Sequence, residues 1–84
     1  MKVRYFASVR QRIGISEEDI STSGDQVKTV NHLVSVLKAK SDLHRVVFSD
    51  IERLRCAVNQ EFAELSTVIK DTDEIAFFPP VTGG

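Results

Sequence analysis

One segment of the chain has the apolar spacing of an amphipathic helix, and this spacing restricts the folds that the chain can adopt. Thr29 can cap the start of this helix, and Lys38 and Lys40 near its end would complement the helix dipole. A second, shorter helical pattern follows within residues 41–50. The longer helix must bury one face against another element, and the apolar positions of that face are Val30, Leu33, Val34 and Leu37.

Most of the remaining sequence has the two-residue alternation of β-strands, in which one side chain faces a core and the next faces away. Asn59-Gln60 fits the two-residue turn of a hairpin, and Gly14 can end a short helical turn formed by residues 8–13. We predict an α+β fold in which one main helix and a short second helix accompany a mixed sheet of four to five strands, and the β-grasp is the natural candidate. The strands are predicted at residues 2–7, 17–22, 54–58, 61–64 and 74–78.

The length and the charge of the chain limit the number of domains and the kinds of partner. A chain of 84 residues is expected to fold around one core, formed by residues 1–78, and to continue as an extended, flexible tail at residues 79–84. Eleven basic and twelve acidic residues give a net charge of -1, so there is no cationic field of the kind that attracts nucleic acid or anionic lipid. We therefore expect no nucleic acid and no membrane as partner.

The cysteine and the histidines do not follow the spacing of catalytic or metal-binding residues. Cys56, the only cysteine, lies in an alternating strand, which predicts a small buried side chain and a reducing compartment such as the cytoplasm. His32 and His44 are expected at the surface without a second ligand beside them, so no metal site is predicted. The acidic residues 17–19 are expected to have no histidine partner.

The end of the chain has the composition of a thin, extended arm. Pro79 and Pro80 have no backbone N–H and a fixed φ angle, so they end the last strand. The two residues after them are β-branched and favour extended backbone, and the terminal glycines have no side chain that would collide with a narrow channel. The α-carboxylate could then reach a partner's active site, where activation would make it reactive. The arm comprises Pro79, Pro80, Val81, Thr82, Gly83 and Gly84.

Two terminal glycines alone are also compatible with a disordered end that has no role. The diproline before them and the aromatic end of the last strand, Phe77-Phe78, make a functional arm the stronger interpretation.

Three blocks of the sequence match motifs of one known family. Residues 73–84 match its terminal motif, residues 6–10 with Gly14 match its opening motif, and residues 57–60 match its hairpin. In these blocks the chain resembles the small, sulfur-carrying subunits of molybdopterin synthases, which are ubiquitin-like β-grasp proteins related to the sulfur carrier of the thiamine pathway. Thr72 departs from the family, which often has Gly at this position of the turn.

The resemblance implies that the chain is the small subunit of a transferase, is not catalytic alone, and forms a heterotetramer with a large synthase subunit. Gly84, with Gly83 beside it, would be adenylated by an E1-like activating enzyme and converted to a C-terminal thiocarboxylate. Its sulfur would then pass to a cyclic pyranopterin precursor to form the molybdopterin dithiolene. ATP would be bound by the activating partner, and no cofactor is expected on this chain, which has no phosphate-binding glycine loop.

Three alternatives remain open at this point. The chain could be a ubiquitin-like modifier that is joined to lysines through Gly84, a sulfur carrier of another pathway such as that of thiamine, or a binding module whose tail has no role.

Strand alternation also predicts a surface for these partners. If Val3 and Tyr5 face the core, Phe6 faces the other way, and strand alternation likewise turns Phe62 and Phe78 away from the core. Grouped phenylalanines give a free monomer no advantage in water, so we expect them to dock partners, although an ordinary exposed sheet surface or a register shifted by one residue is the alternative. The predicted partner contacts are Phe6, Phe62 and Phe78, the resemblance adds Arg10, and the tail adds Pro79, Pro80, Val81 and Thr82.

Overall fold

Five strands form one mixed sheet in the structure, a computed structural model that describes residues 1–20 and 27–80. The strands are β1 (Lys2–Tyr5), β2 (Glu17–Asp19), β3 (Arg55–Val58), β4 (Glu61–Ala63) and β5 (Glu74–Phe78). Their order across the sheet is β2-β1-β5-β3-β4. The central pair, β1 and β5, is parallel, and the other neighbouring pairs are antiparallel. The first and last strands of the chain therefore lie side by side.

Each helix begins or ends at a residue suited to that position. The side chain of Thr29 accepts the backbone N–H of His32, and the side chain of Ser41 accepts that of His44, so both of the longer helices have an N-cap. Gly14, with a φ of 92°, ends the first helix in the left-handed region. The helices are α1 (Ala7–Ile13), α2 (Val30–Lys38) and α3 (Asp42–Ser49), followed by a 3₁₀ turn at Ile51–Arg53.

The core lies between one face of the sheet and the helices. Three aromatic rings occupy its centre: the ring of Phe48 meets that of Phe77 edge to face at 4.9 Å, and Tyr5 lies 6.2 Å from Phe48. The predicted apolar face of the main helix is confirmed, because all four of its residues are buried: Val30, Leu33, Val34 and Leu37.

The predicted elements are confirmed in type and order, and several boundaries differ: β3 begins at Arg55 and β4 ends at Ala63, each one residue inside its predicted span, and β1 and β2 end earlier than predicted. β1 ends at Tyr5 rather than at residue 7, because Ala7 already begins α1. The predicted helical turn is thus a seven-residue helix. β2 ends at Asp19, and the last two residues of its predicted span lie outside the described residues. β5 has the predicted bounds.

The hairpin turn between β3 and β4 has positive φ angles at both central residues, 51° at Asn59 and 71° at Gln60. This combination is the type I′ turn, whose twist matches that of the flanking strands. Asparagine adopts the left-handed region readily, whereas glutamine has no local side-chain bond that favours it. Gln60 therefore holds a strained conformation.

Replacing Gln60 with Gly is expected to stabilise the protein by about 0.5–1 kcal/mol, because relief of the strain exceeds the entropy lost by a glycine on folding. Urea unfolding measures the change. The matched control is Gln11→Gly in α1, an exposed helical position, where the same substitution should lower the free energy of unfolding by about 0.7 kcal/mol. A destabilised Gln60→Gly variant would show that Gln60 carries no strain.

Candidate functional site

The chain leaves the sheet at the end of β5. Phe78 is the last strand residue, and Pro79-Pro80 follows it half-buried and outside any strand, where the strand was predicted to stop. Residues 81–84 lie outside the described residues, so the roles of Gly83 and Gly84 stay predictions. The described part of the site is the surface from which this arm departs.

Two of the predicted docking phenylalanines are in contact on the outer face of the sheet, the face opposite the core. Phe62 pairs with Ala57 across the hairpin, as predicted, and Ala57 in turn pairs with Ala76 of β5. The ring of Phe62 is 85% exposed and lies 5.8 Å from the ring of Phe78. Because Ala57 and Ala76 are small, they do not cover the rings of Phe62 and Phe78, which lie on the outer face close to the point where the arm leaves β5.

Phe6 directly follows β1, the strand next to β5, in extended backbone as the N-cap of α1, and it faces the same side. Its backbone N–H donates to the carbonyl of Phe77 at 3.0 Å, so the ladder between β1 and β5 continues to this residue. The side chain is 41% exposed, and the guanidinium of Arg4 lies over its ring, 5.4 Å from the ring centre. The predicted outward orientation is confirmed for Phe6 and Phe62. We call Phe6, Phe62 and Phe78 the outer-face patch.

Arg10 stands one helical turn after Phe6. Its backbone N–H donates to the carbonyl of Phe6 at 3.3 Å, and its side chain is exposed in the last turn of α1. The helix therefore presents a cation near the patch, and a contact of Arg10 with a partner stays a prediction.

Cys56 is buried, as predicted, on the inner face of the sheet. Its thiol donates to the carbonyl of Ala63 at 3.4 Å, and burial raises the pKa of the thiol. Because the thiolate is the reactive form, a raised pKa argues against Cys56 as a carrier of sulfur.

One polar cluster was missed by the sequence analysis. Glu18 of β2 accepts a hydrogen bond from the hydroxyl of Tyr5 at 2.6 Å, and its Oε2 lies 2.7 Å from Nε2 of His44. The ammonium of Lys40 contacts its other oxygen. The predictions that His44 lies at the surface and that residues 17–19 have no histidine partner were wrong, because His44 is 7% exposed and is packed against Phe48. The cluster lies on the core side of the sheet, away from the outer-face patch.

The pKa of Glu18 reflects two opposing effects. Burial raises the pKa of this carboxyl, but hydrogen bonds from Lys40, Tyr5 and His44 outweigh that effect and lower the pKa to about 2. Burial, together with the neighbouring carboxylate, raises the pKa of Tyr5. Glu18 is thus an anion with a largely covered side chain and three partners, which is a structural arrangement rather than an acid–base pair.

A signal for this cluster was present in the sequence. His44, Val47 and Phe48 have i, i+3 and i+4 spacing, which places the histidine on the apolar face of α3. Glu18 in β2 and Ile20 directly after the strand have the two-residue spacing that places both side chains on the same face of an extended chain. A charged residue and a histidine at two core-facing positions indicate a buried pair.

The described residues contain no group of three or more His, Cys, Asp and Glu side chains that could hold a metal ion. In the same part of the chain, no helix is both long enough and apolar enough to cross a bilayer.

Comparison with known proteins decides the family. The sequence pattern of the ThiS family matches residues 3–84, which includes the whole arm. The chain belongs to the ThiS family. The molybdopterin synthase sulfur carrier subunit of Escherichia coli is 37% identical over 84 residues, covering 100% of this chain and 99% of that protein.

Solved structures agree with this assignment to the ThiS family. A candidate subunit 1 of the molybdopterin converting factor from Pyrococcus furiosus has a TM-score of 0.74 and 30% identity, covering 95% of each chain. A complex of subunits 1 and 2 of the molybdopterin-converting factor from Helicobacter pylori has a TM-score of 0.64 and 26% identity, covering 99% of this chain and 96% of the other. The predicted ubiquitin-like β-grasp fold of this ThiS-family chain is confirmed.

Proposed function

We propose that this chain is the sulfur-carrier subunit of a molybdopterin synthase. The observation that carries the proposal is the family match through Gly84, together with the 37% identity over the whole chain to a molybdopterin synthase sulfur carrier subunit. In this proposal the folded domain presents the arm to the partners, and the carboxylate of Gly84 at the end of the arm is the group that reacts.

The chemistry of the carrier follows from the terminal carboxylate. As an anion it resists nucleophiles, so an E1-like enzyme first joins it to AMP, with pyrophosphate leaving from ATP. Sulfide then displaces AMP and leaves a thiocarboxylate on Gly84. In the large subunit, this sulfur displaces an oxygen substituent of the pyranopterin precursor, and water then hydrolyses the resulting thioester, which leaves the sulfur on the pterin and restores the Gly84 carboxylate. A dithiolene needs two such deliveries. The ATP and pterin sites belong to the partners, and this chain supplies the sulfur to the transferase.

Reconstitution tests the proposal. The chain is incubated with activating enzyme, ATP and a sulfur source, and its intact mass is recorded. We expect exchange of one oxygen for sulfur that requires ATP, followed by dithiolene formation when the large synthase subunit and the precursor are added. Adducts with lysines of other proteins, without that exchange, would instead indicate a modifier. Thiocarboxylate that forms but supports no dithiolene synthesis would indicate a carrier of another pathway.

We further propose that the outer-face patch docks the large subunit. Replacing all three phenylalanines with Ser is expected to weaken binding by roughly a hundredfold or more, because each buried Phe contributes roughly 1.5–3 kcal/mol. Surface plasmon resonance measures the affinity, and thermal unfolding shows whether the fold is retained.

A matched control replaces three exposed apolar residues elsewhere, Leu43, Val46 and Val68, with Ser. This control should bind the large subunit like the unmodified chain. Equal affinities of both triple variants would refute the docking role of the patch.

A further inference from the structure

Arg4 is held between a carboxylate and an aromatic ring on the outer face of the sheet. Its Nη1 donates to Oε1 of Glu74 at 3.0 Å, and the same guanidinium lies over the ring of Phe6, 5.4 Å from the ring centre. The parallel pairing of β1 with β5 makes this possible, since it places Lys2 opposite Glu74 and Arg4 opposite Ala76. Arg4 therefore bridges the two central strands and covers Phe6.

Glu74 is itself held in place. Its backbone N–H donates to the side-chain oxygen of Asn59 at 3.0 Å, and its carbonyl accepts the N–H of Asn59 at 2.8 Å. The backbone of Glu74, whose carboxylate binds Arg4, is thus hydrogen-bonded to the turn of the hairpin that contains Phe62. A planar guanidinium fixed in this way can restrict an aromatic ring by stacking on it.

A second ion pair on the same surface lacks the aromatic neighbour. Lys2 and Glu17 lie 3.5 Å apart with half-exposed side chains, and Lys2 is two residues from Arg4 on the same face of β1. The side chains of Arg4 and Glu74 are similarly exposed, at 43% and 37%. The two pairs differ in the ring of Phe6, which only Arg4 covers, and in the contact itself, a 3.0 Å hydrogen bond for Arg4 and a 3.5 Å ion pair for Lys2.

We propose that Arg4 is a positioning residue that restricts the ring of Phe6 before a partner docks, an inference that rests on the docking role proposed for the outer-face patch. A free, mobile side chain loses rotamer freedom when it is immobilised in an interface, and a ring that is already restricted loses less. Arg4 thus affects the affinity for the partner by restricting the ring of Phe6, not by an electrostatic contact of its own with the partner.

The test is a double-mutant cycle of Arg4→Gln and Phe6→Ala, measured as the affinity for the large synthase subunit. We expect Arg4→Gln to weaken binding about three- to tenfold and Phe6→Ala to weaken it by about tenfold or more. In the Phe6→Ala background, Arg4→Gln should have no further effect, because the ring on which it acts is gone. Lys2→Gln, the matched control, should change affinity less than about twofold.

A readout on the free protein does not depend on any partner. Aromatic ¹³C relaxation should show a lower order parameter for the Phe6 ring in Arg4→Gln than in Lys2→Gln. An unchanged ring in Arg4→Gln, or a loss of affinity that persists in the Phe6→Ala background, would overturn the role of Arg4 alone. Unchanged affinity of Phe6→Ala would overturn both the role of Arg4 and the docking role of Phe6. The sulfur-carrier proposal is tested separately, because a carrier that docks through another surface would still form its thiocarboxylate.

Discussion

Deleting Gly84 is expected to abolish sulfur transfer and to leave the fold unchanged. One residue of extended chain spans about 3.3–3.6 Å, so the deletion withdraws the terminal carboxyl by about that distance. A misplacement of only about 1 Å at a reacting centre can lower a rate by about a hundredfold. We therefore expect thiocarboxylate formation to fall by more than about a hundredfold at saturating activating enzyme, measured from the intact mass over time.

Two controls separate the reach of the arm from its chemistry. A C-terminal amide on Gly84 keeps the length but removes the acid group, so it should be equally inactive. Gly84→Ala keeps both the length and the acid, and adds one methyl group; its rate should fall between those of the deletion and the unmodified chain. All three should melt at the same temperature as the unmodified chain. Rapid formation of the thiocarboxylate on the shortened chain would rule out Gly84 as the carrier.

Replacing Glu18 with Gln is expected to destabilise the protein far more than the same substitution at the neighbouring Glu17. The change at Glu18 removes the buried charge that Tyr5, His44 and Lys40 surround, while it keeps the size of the side chain. A pKa lowered from its ordinary value of 4.5 to about 2 corresponds to a stabilisation on the order of 1–3 kcal/mol at neutral pH. Urea unfolding at pH 7 measures this loss.

The adjacent residue supplies the control. Glu17→Gln removes a charge whose partner, Lys2, lies 3.5 Å away at the surface, and it should cost less than about 0.5 kcal/mol. Similar losses for the two variants would contradict the buried role of Glu18.

The loss at Glu18 should also depend on pH. Because its folded pKa is lowered, the contribution of the carboxylate is complete above pH 4.5 and disappears as the pH falls through about 2. The unmodified chain and Glu18→Gln should therefore converge in stability near pH 2, since a protonated carboxyl resembles an amide. A gap in stability that stays constant from pH 7 to pH 2 would argue against a charge effect.

Much of the fold could be predicted because its signals are local. Each of these signals depends on residues within a few positions of one another. They are the apolar face of α2, the C-cap Gly14 of α1, the Asn59-Gln60 turn and the end of β5. Strand alternation likewise placed Phe6 and Phe62 on the outer face, since a side chain's face follows from its parity within the strand. The predicted end of β1 at residue 7 was wrong, because the helix that follows begins at Ala7 without a side-chain capping signal.

The chain's sequence alone determined the types of its elements and their order, because these depend on backbone preferences and on side-chain patterns within a few residues. Only the tertiary structure decided which distant side chains meet. Arg4 reaches Glu74 across 70 positions, and Glu18 reaches His44 across 26, because the sheet places β1 beside β5 and α3 packs over its inner face. Local spacing can place Glu18 and His44 each at a core-facing position, but whether two such positions meet depends on which elements become neighbours, and local spacing does not specify that choice.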